Sequence, residues 1–255
     1  MATWPLLRHS SGERMIDGDA PYALRPFSAM HIGVLLLFTV AIGLLIWIGR
    51  RSDAASRRRI ERTLGWAMLA LWLVNKGWWW FPSRFDAAHT LPLQVCDVTS
   101  LLAALVLLAP RRWASVLLYF WGIGMSLQAL ITPDLNRRPT SIWFWFFWIS
   151  HAGAVGVALY VVAVRRFRPT WRDYRFAVGA GLVYLAVVFM VDVLFGFNYG
   201  YVGNARPGQT SVLDFLGAWP GRVGLVAMLA IGAMAVLMLP WHSSQEGGHA
   251  PVRAG

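Results

Sequence analysis

The apolar positions along this chain come in long unbroken runs, not in the alternation of strands or the one-sided stripes of soluble helices. Seven runs stand out, at 29–49, 60–81, 91–109, 113–132, 141–164, 174–196 and 222–240. Each is about as long as a helix needs to be to cross a hydrocarbon core ~30 Å thick at ~1.5 Å per residue. Continuous apolarity favours helices over a barrel, whose strands alternate. The pattern predicts an all-α polytopic membrane protein, a seven-helix transmembrane bundle over 29–240. An extracytoplasmic tail (1–28) precedes it and a disordered cytoplasmic tail (241–255) follows.

Composition agrees. The chain is 57% hydrophobic with a mean hydropathy of +0.52, which a soluble domain of 255 residues rarely reaches because its outside must stay wet. The net charge of +11 would suggest nucleic acid in a soluble protein, but its distribution points elsewhere. Thirteen arginines, among them Arg57, Arg58, Arg111, Arg112, Arg165 and Arg166, fall in the connections after the first, third and fifth runs. The opposite connections carry five: Arg84, Arg137, Arg138, Arg206 and Arg222. The positive-inside rule therefore places the N-terminus outside and the C-terminus in the cytoplasm. The basic loops read as topology signals that also touch anionic lipid, with no nucleic-acid role. The expected location is a cell membrane, a bacterial inner or plasma membrane.

No cleavable signal peptide is evident, because the first run is full span length and ends in arginines. The single cysteine excludes an intrachain disulfide. Zinc, Walker and Rossmann patterns are missing, so no metal or cofactor is expected.

The topology gives each intramembrane polar residue a depth. Asn75 and Lys76 fall near the outer end of the second run. Gln94, Cys96 and Asp97 lie in the outer quarter of the third. Gln128 is near the outer end of the fourth, with Asp134 just beyond it. His151 lies near the middle of the fifth. Asp192 is about one turn from the outer end of the sixth, followed by Asn198 and Tyr199. The inner halves are almost wholly apolar. Ionisable groups in a bilayer cost ~2.5–3.5 kcal/mol each on insertion scales and normally face the bundle interior. Their gathering at one depth predicts a shared cavity open toward the outer leaflet, with membrane lipid as the expected partner.

Blander roles compete. Lys76 can snorkel to the interface on its stem. Trp78, Trp79 and Trp80 suit an aromatic belt. Gln128 suits interhelical hydrogen bonding. Cys96 shares a face with Ser100 and Ala103, a spacing that suits close helix packing. Against these stands the chemistry of a thiol nucleophile with an imidazole base. In that reading Cys96 attacks an ester or thioester and His151 takes its proton. Asp192 or Asp97 orients the ring, and Lys76 or Asn75 stabilises an oxyanion. Depth opposes it: Cys96 lies ~8 Å and His151 ~15 Å below the outer ends of their segments. A gap of ~7 Å exceeds hydrogen-bond reach. Two further readings remain open. One is a small-solute or proton-linked transporter using Lys76, Asp97, His151 and Asp192. The other is a non-catalytic ligand-binding membrane protein. The connection at 197–221 is expected to lid the cavity or to serve as an ordinary structured loop, with Ser211 and Asp214 capping a short helix.

Five blocks in order, LPLQVCDVTS (91–100), ALITPDL (129–135), ISHAG (149–153), FNY (197–199) and SVLDFLGAWP (211–220), resemble the YwaF-like family of bacterial integral membrane proteins. Its animal relatives are called transmembrane protein 164. The resemblance implies the same seven-helix frame. For the animal relatives it implies an acyltransferase that remodels ether phospholipids through a Cys and a His. Those roles would fall on Cys96 and His151. The chain departs from the pattern at Gln94, where a His is expected, at Ala152, and at Ala218, where a proline is expected.

Overall fold

The computed structural model describes residues 24–133, 135–204 and 216–241. Residues 1–23 and 242–255, which make up most of both predicted tails, lie outside these residues, as do Asp134 and the Ser211–Asp214 cap. The described chain forms seven membrane-scale helical segments and no strand. They are α1 (Ala29–Arg51), α2 (Ala54–Trp79), α3 (Val95–Leu108), α4 (Arg112–Ile131), α5 (Ile142–Ala163), α6 (Trp171–Phe195) and α7 (Arg222–Val236). α7 runs on into a 3-10 turn, Leu239–Trp241. Five segments are long and apolar enough to cross a membrane by themselves. α3 is apolar but only 14 residues long, and α2 carries Arg57, Arg58, Arg59, Glu61 and Arg62 in its first turns. The chain is a multi-pass helical membrane protein.

Local chemistry sets most helix ends. Ser28, Asp53, Ser141 and Thr170 each place a side-chain oxygen on a free amide of the first turn of α1, α2, α5 and α6, as helix starts require. Thr170 and Asp173 do so reciprocally in a capping box. α6 ends at Gly196, whose φ of 68° is the left-handed closure that glycine adopts without penalty.

Two segments depart from the sequence expectation. The third run was expected to be helical from residue 91, but α3 starts only at Val95, so the first four residues of LPLQVCD form an irregular turn. α4 is not a uniform α-helix. Leu118–Ile123 is a π-helical turn, and the chain breaks from helix again at Met125 and Ser126. Such insertions change the side-chain register along a helix.

The packing separates a centre from a rim. α4 and α5 have over half of their apolar span buried, while α1, α6 and α7 have about a tenth. The rim helices turn large apolar side chains outward, such as Leu36, Val40 and Leu44 on α1 and Val183, Val187 and Met190 on α6. A water-facing surface would not carry these; lipid tails accept them. Inside, Leu102, Val106, Leu118, Phe120, Trp121 and Ala158 form one core. Val34, Phe144, Trp148 and Val155 form a second, between α1 and α5. Small residues permit this contact. A methyl on Gly156 would lie 2.8 Å from Ile42, and one on Gly49 would lie 2.5 Å from Tyr160, so α1 and α5 could not approach so closely with larger residues.

The arginine-rich connections meet at one end, where their side chains do structural work. Arg165 forks onto Glu61 at 2.9 and 2.7 Å and also donates to the Val106 carbonyl at 2.8 Å. Arg58 donates to the carbonyls of Leu107 and Leu108, both at 2.8 Å. Between them they satisfy the exposed carbonyls at the end of α3. Arg112 pairs with Asp173 at 2.5 Å and ties α4 to α6.

Candidate functional site

The opposite end carries the polar residues singled out in the sequence, and its centre is an ion pair. Lys76, the only lysine in the chain, reaches from α2 to Asp97 on the first turn of α3, with Nζ 2.6 Å from Oδ2. The two side chains are 9% and 15% exposed, so Lys76 is turned inward and does not snorkel. Two charges this deep are tolerable only because each neutralises the other. Trp72 adds a bond from Nε1 to the Asp97 carbonyl at 3.1 Å. Cys96, the neighbour of Asp97, is a free half-buried thiol. It lies within electrostatic range of Asp97, Lys76 and Tyr184.

Gln94 occupies the N-cap position of α3 but does not cap it. Its Oε1 accepts instead from the Gly200 amide at 2.9 Å, linking the turn before α3 to the chain after α6. Tyr199 reinforces that link. Its hydroxyl donates to the Ala87 carbonyl at 2.6 Å and accepts from the Leu91 amide at 2.9 Å. Burial pushes the Tyr199 phenol above its ordinary pKa, which keeps that proton in place. Tyr184 donates to the Leu93 carbonyl. Asp192 accepts from the Tyr199 amide through Oδ1 at 2.9 Å. Its Oδ2 and the Asn198 Oδ1 are buried with no hydrogen-bond partner among the described residues. Gly203 lets this loop close, because a methyl there would fall 2.1 Å from the Phe197 carbonyl oxygen.

His151 is placed differently. It is buried in α5, and its Nδ1 lies 2.7 Å from the Phe147 carbonyl. A carbonyl only accepts, so Nδ1 carries the proton. Nε2 is then the nitrogen with the free lone pair, and it makes no hydrogen bond among the described residues. Phe147 orients this ring; the two acids expected to do so are engaged elsewhere, Asp97 with Lys76 and Asp192 with Tyr199.

No hydrogen bond joins Cys96 and His151, and helix register gives the reason. Lys76 meets Asp97, and three residues further out Trp79 meets Trp143 on α5 with ring centroids 5.4 Å apart. Residue 146 therefore lies near the level of Asp97. Met68, eight residues below Lys76 on α2, packs at Gly153, which agrees. His151 then lies about 9 Å deeper than Cys96 at the helical rise. The depth offset expected from the sequence persists in the fold.

Of the other candidates, Asn75 is half-buried and makes no side-chain hydrogen bond among the described residues, and Gln128 is exposed. The sequence reading passed over Tyr184, Trp72 and the hydroxyl pair Thr99–Ser126, which joins α3 to α4 at 3.0 Å. It also gave His31 no partner. That ring is fully buried, accepts from the Phe27 amide on Nδ1 and donates from Nε2 to the Leu130 carbonyl, both at 2.8 Å. It serves to pin α1 to α4.

Comparison with known proteins places this arrangement in a family. An uncharacterized protein of Treponema pallidum (strain Nichols) is 24% identical over 224 residues, which is 87% of this chain and 91% of that protein. No solved structure matches the chain. The TMEM164 family matches from residue 26 to residue 238. That match takes in all seven helices and every polar group described above, so the chain belongs to the TMEM164 family.

Proposed function

We propose that this membrane protein binds a lipid ester at the end of the bundle that carries Lys76 and Asp97, and transfers its acyl group through Cys96. The observation that carries the reading is the position of the chain's one thiol, half-buried on the first turn of α3 beside a sequestered ammonium–carboxylate pair. The sulfur attacks the ester carbonyl carbon, and the tetrahedral oxyanion draws on the Lys76 ammonium. The ester C–O bond breaks, the alcohol leaves with a proton, and a thioester remains on Cys96. A second lipid hydroxyl then takes the acyl group and regenerates the thiol. The His151 Nε2 has the lone pair needed to take the thiol proton. It must first approach Cys96 along the α3–α5 seam. The resemblance to the YwaF-like family, which for its animal relatives implies an acyltransferase using a Cys and a His, supports the same assignment.

The depth offset favours a second reading, in which the same end binds a lipid without reacting and His151 serves packing. Intact-mass analysis after incubation with an acyl-thioester probe separates the two. Acyl transfer predicts a hydroxylamine-sensitive adduct on the wild type that is lost in Cys96→Ser and reduced at least about tenfold in His151→Ala. A wild type that binds the probe but forms no adduct would leave only the non-reactive reading.

A further inference from the structure

The arginine-rich end contains a cleft that the reading above does not use. Its volume is about 390 Å³, and five of its lining residues are arginines: Arg111, Arg112, Arg165, Arg166 and Arg168. This lies within the about 300–1,000 Å³ of sites that take small ligands. Two of the five are neutralised, Arg112 by Asp173 and Arg165 by Glu61. Arg111, Arg166 and Arg168 face no carboxylate among the described residues, so the cleft holds uncompensated positive charge. Gathering arginines around one cleft sets like charges against one another, a cost that a bound anion relieves.

Two features hold the cleft in shape. Arg168 lies over the Trp241 ring at 4.7 Å, and Arg112 lies over Phe167 at 5.5 Å, which restrains both guanidiniums. Arg166 has a φ of 57°, a left-handed conformation that glycine would occupy more easily. The turn after α5 thus carries an arginine where the backbone favours glycine, and so keeps a guanidinium at the cleft.

We propose that this cleft is a binding site for a phosphate group, with Arg111 and Arg166 as its principal ligands. Guanidinium forks match phosphate oxygens in pairs. The cleft lies at the end that the charge asymmetry assigns to the cytoplasm, where basic pockets between transmembrane helices take the headgroups of anionic lipids. A soluble phosphate ester offers the same oxygens.

Native mass spectrometry of the full chain tests the proposal by counting bound phosphatidic acid or phosphatidylglycerol over phosphatidylcholine. Arg111→Ala/Arg166→Ala removes two cleft charges. Arg59→Ala/Arg62→Ala removes two exposed charges near the same end but outside the cleft. The expected result is a loss of about tenfold or more in the first pair and less than about twofold in the second. Arg166→Gly keeps the backbone geometry and should reproduce part of the loss, which guards against misfolding as its cause. Equal losses in both pairs, or none in the first, would overturn the site. Competition by millimolar glycerol phosphate would support the site with a soluble ligand as its source; retained lipid without competition would support it with a headgroup.

Discussion

The two ends of the bundle use charge in opposite ways. At the arginine-rich end, guanidiniums outnumber carboxylates; Arg58 and Arg112 reach solvent while Glu61 is as buried as Lys76, and the arginines tie helix ends together through bonds to Glu61, Asp173 and the carbonyls of α3. At the other end the sequestered pair of Lys76 and Asp97 sits among neutral donors and acceptors from Gln94, Tyr184 and Tyr199. A lost partner at the first end can be replaced by another arginine or by a helix-end carbonyl, as Arg58 and the Val106 carbonyl show at Glu61 and Arg165. At the second end it cannot, so the same substitution should cost more there.

Lys76→Met gives the sharpest test. It leaves the Asp97 carboxylate in an apolar setting and should destabilise the detergent-solubilised protein by about 3–5 kcal/mol. Adding Asp97→Leu should recover most of that loss, read as the midpoint of thermal unfolding by fluorescence-detected size exclusion. If the double variant stays as unstable as the single one, the pair contributes more than mutual neutralisation. Glu61→Gln should cost less, about 1–3 kcal/mol, because Arg165 retains the Val106 carbonyl and partial solvent contact. A cost equal to that of Lys76→Met would erase the contrast between the ends. Asp192→Ala removes the acceptor for the Tyr199 amide and should cost about 1–2 kcal/mol. Asp192→Asn should cost less, since its carbonyl oxygen can still accept. Thr99→Val breaks the hydroxyl pair with Ser126 and should cost only about 0.6 kcal/mol, as measured for interhelical hydrogen bonds in membranes.

The sequence made the frame legible because span length and arginine placement are set by the bilayer, not by detailed packing. Each of the seven runs coincides with a helical segment. It also located the polar end, since Lys76, Gln94, Asp97, Asp192 and Tyr199 come together there. What it could not show was pairing. A run of apolar residues does not reveal that α3 starts four residues late, because LPLQ is as apolar in a turn as in a helix. Nor does it reveal that Leu118–Ile123 winds as a π turn, since that depends on what Trp121 and its neighbours pack against. Depth was readable and direction was not. Counting residues gave the offset between Cys96 and His151, while the partner of each acid depended on how helices rotate against one another.

The late start of α3 bears on how a substrate would arrive. Its 14 residues rise about 21 Å, against a hydrocarbon core of about 30 Å. The missing length is filled by the turns from 80 to 94, whose backbone groups are satisfied by Tyr184, Tyr199 and Trp80. Under the acyl-transfer proposal, an ester would therefore reach Cys96 past these turns at the end of the bundle, not along an apolar helix face.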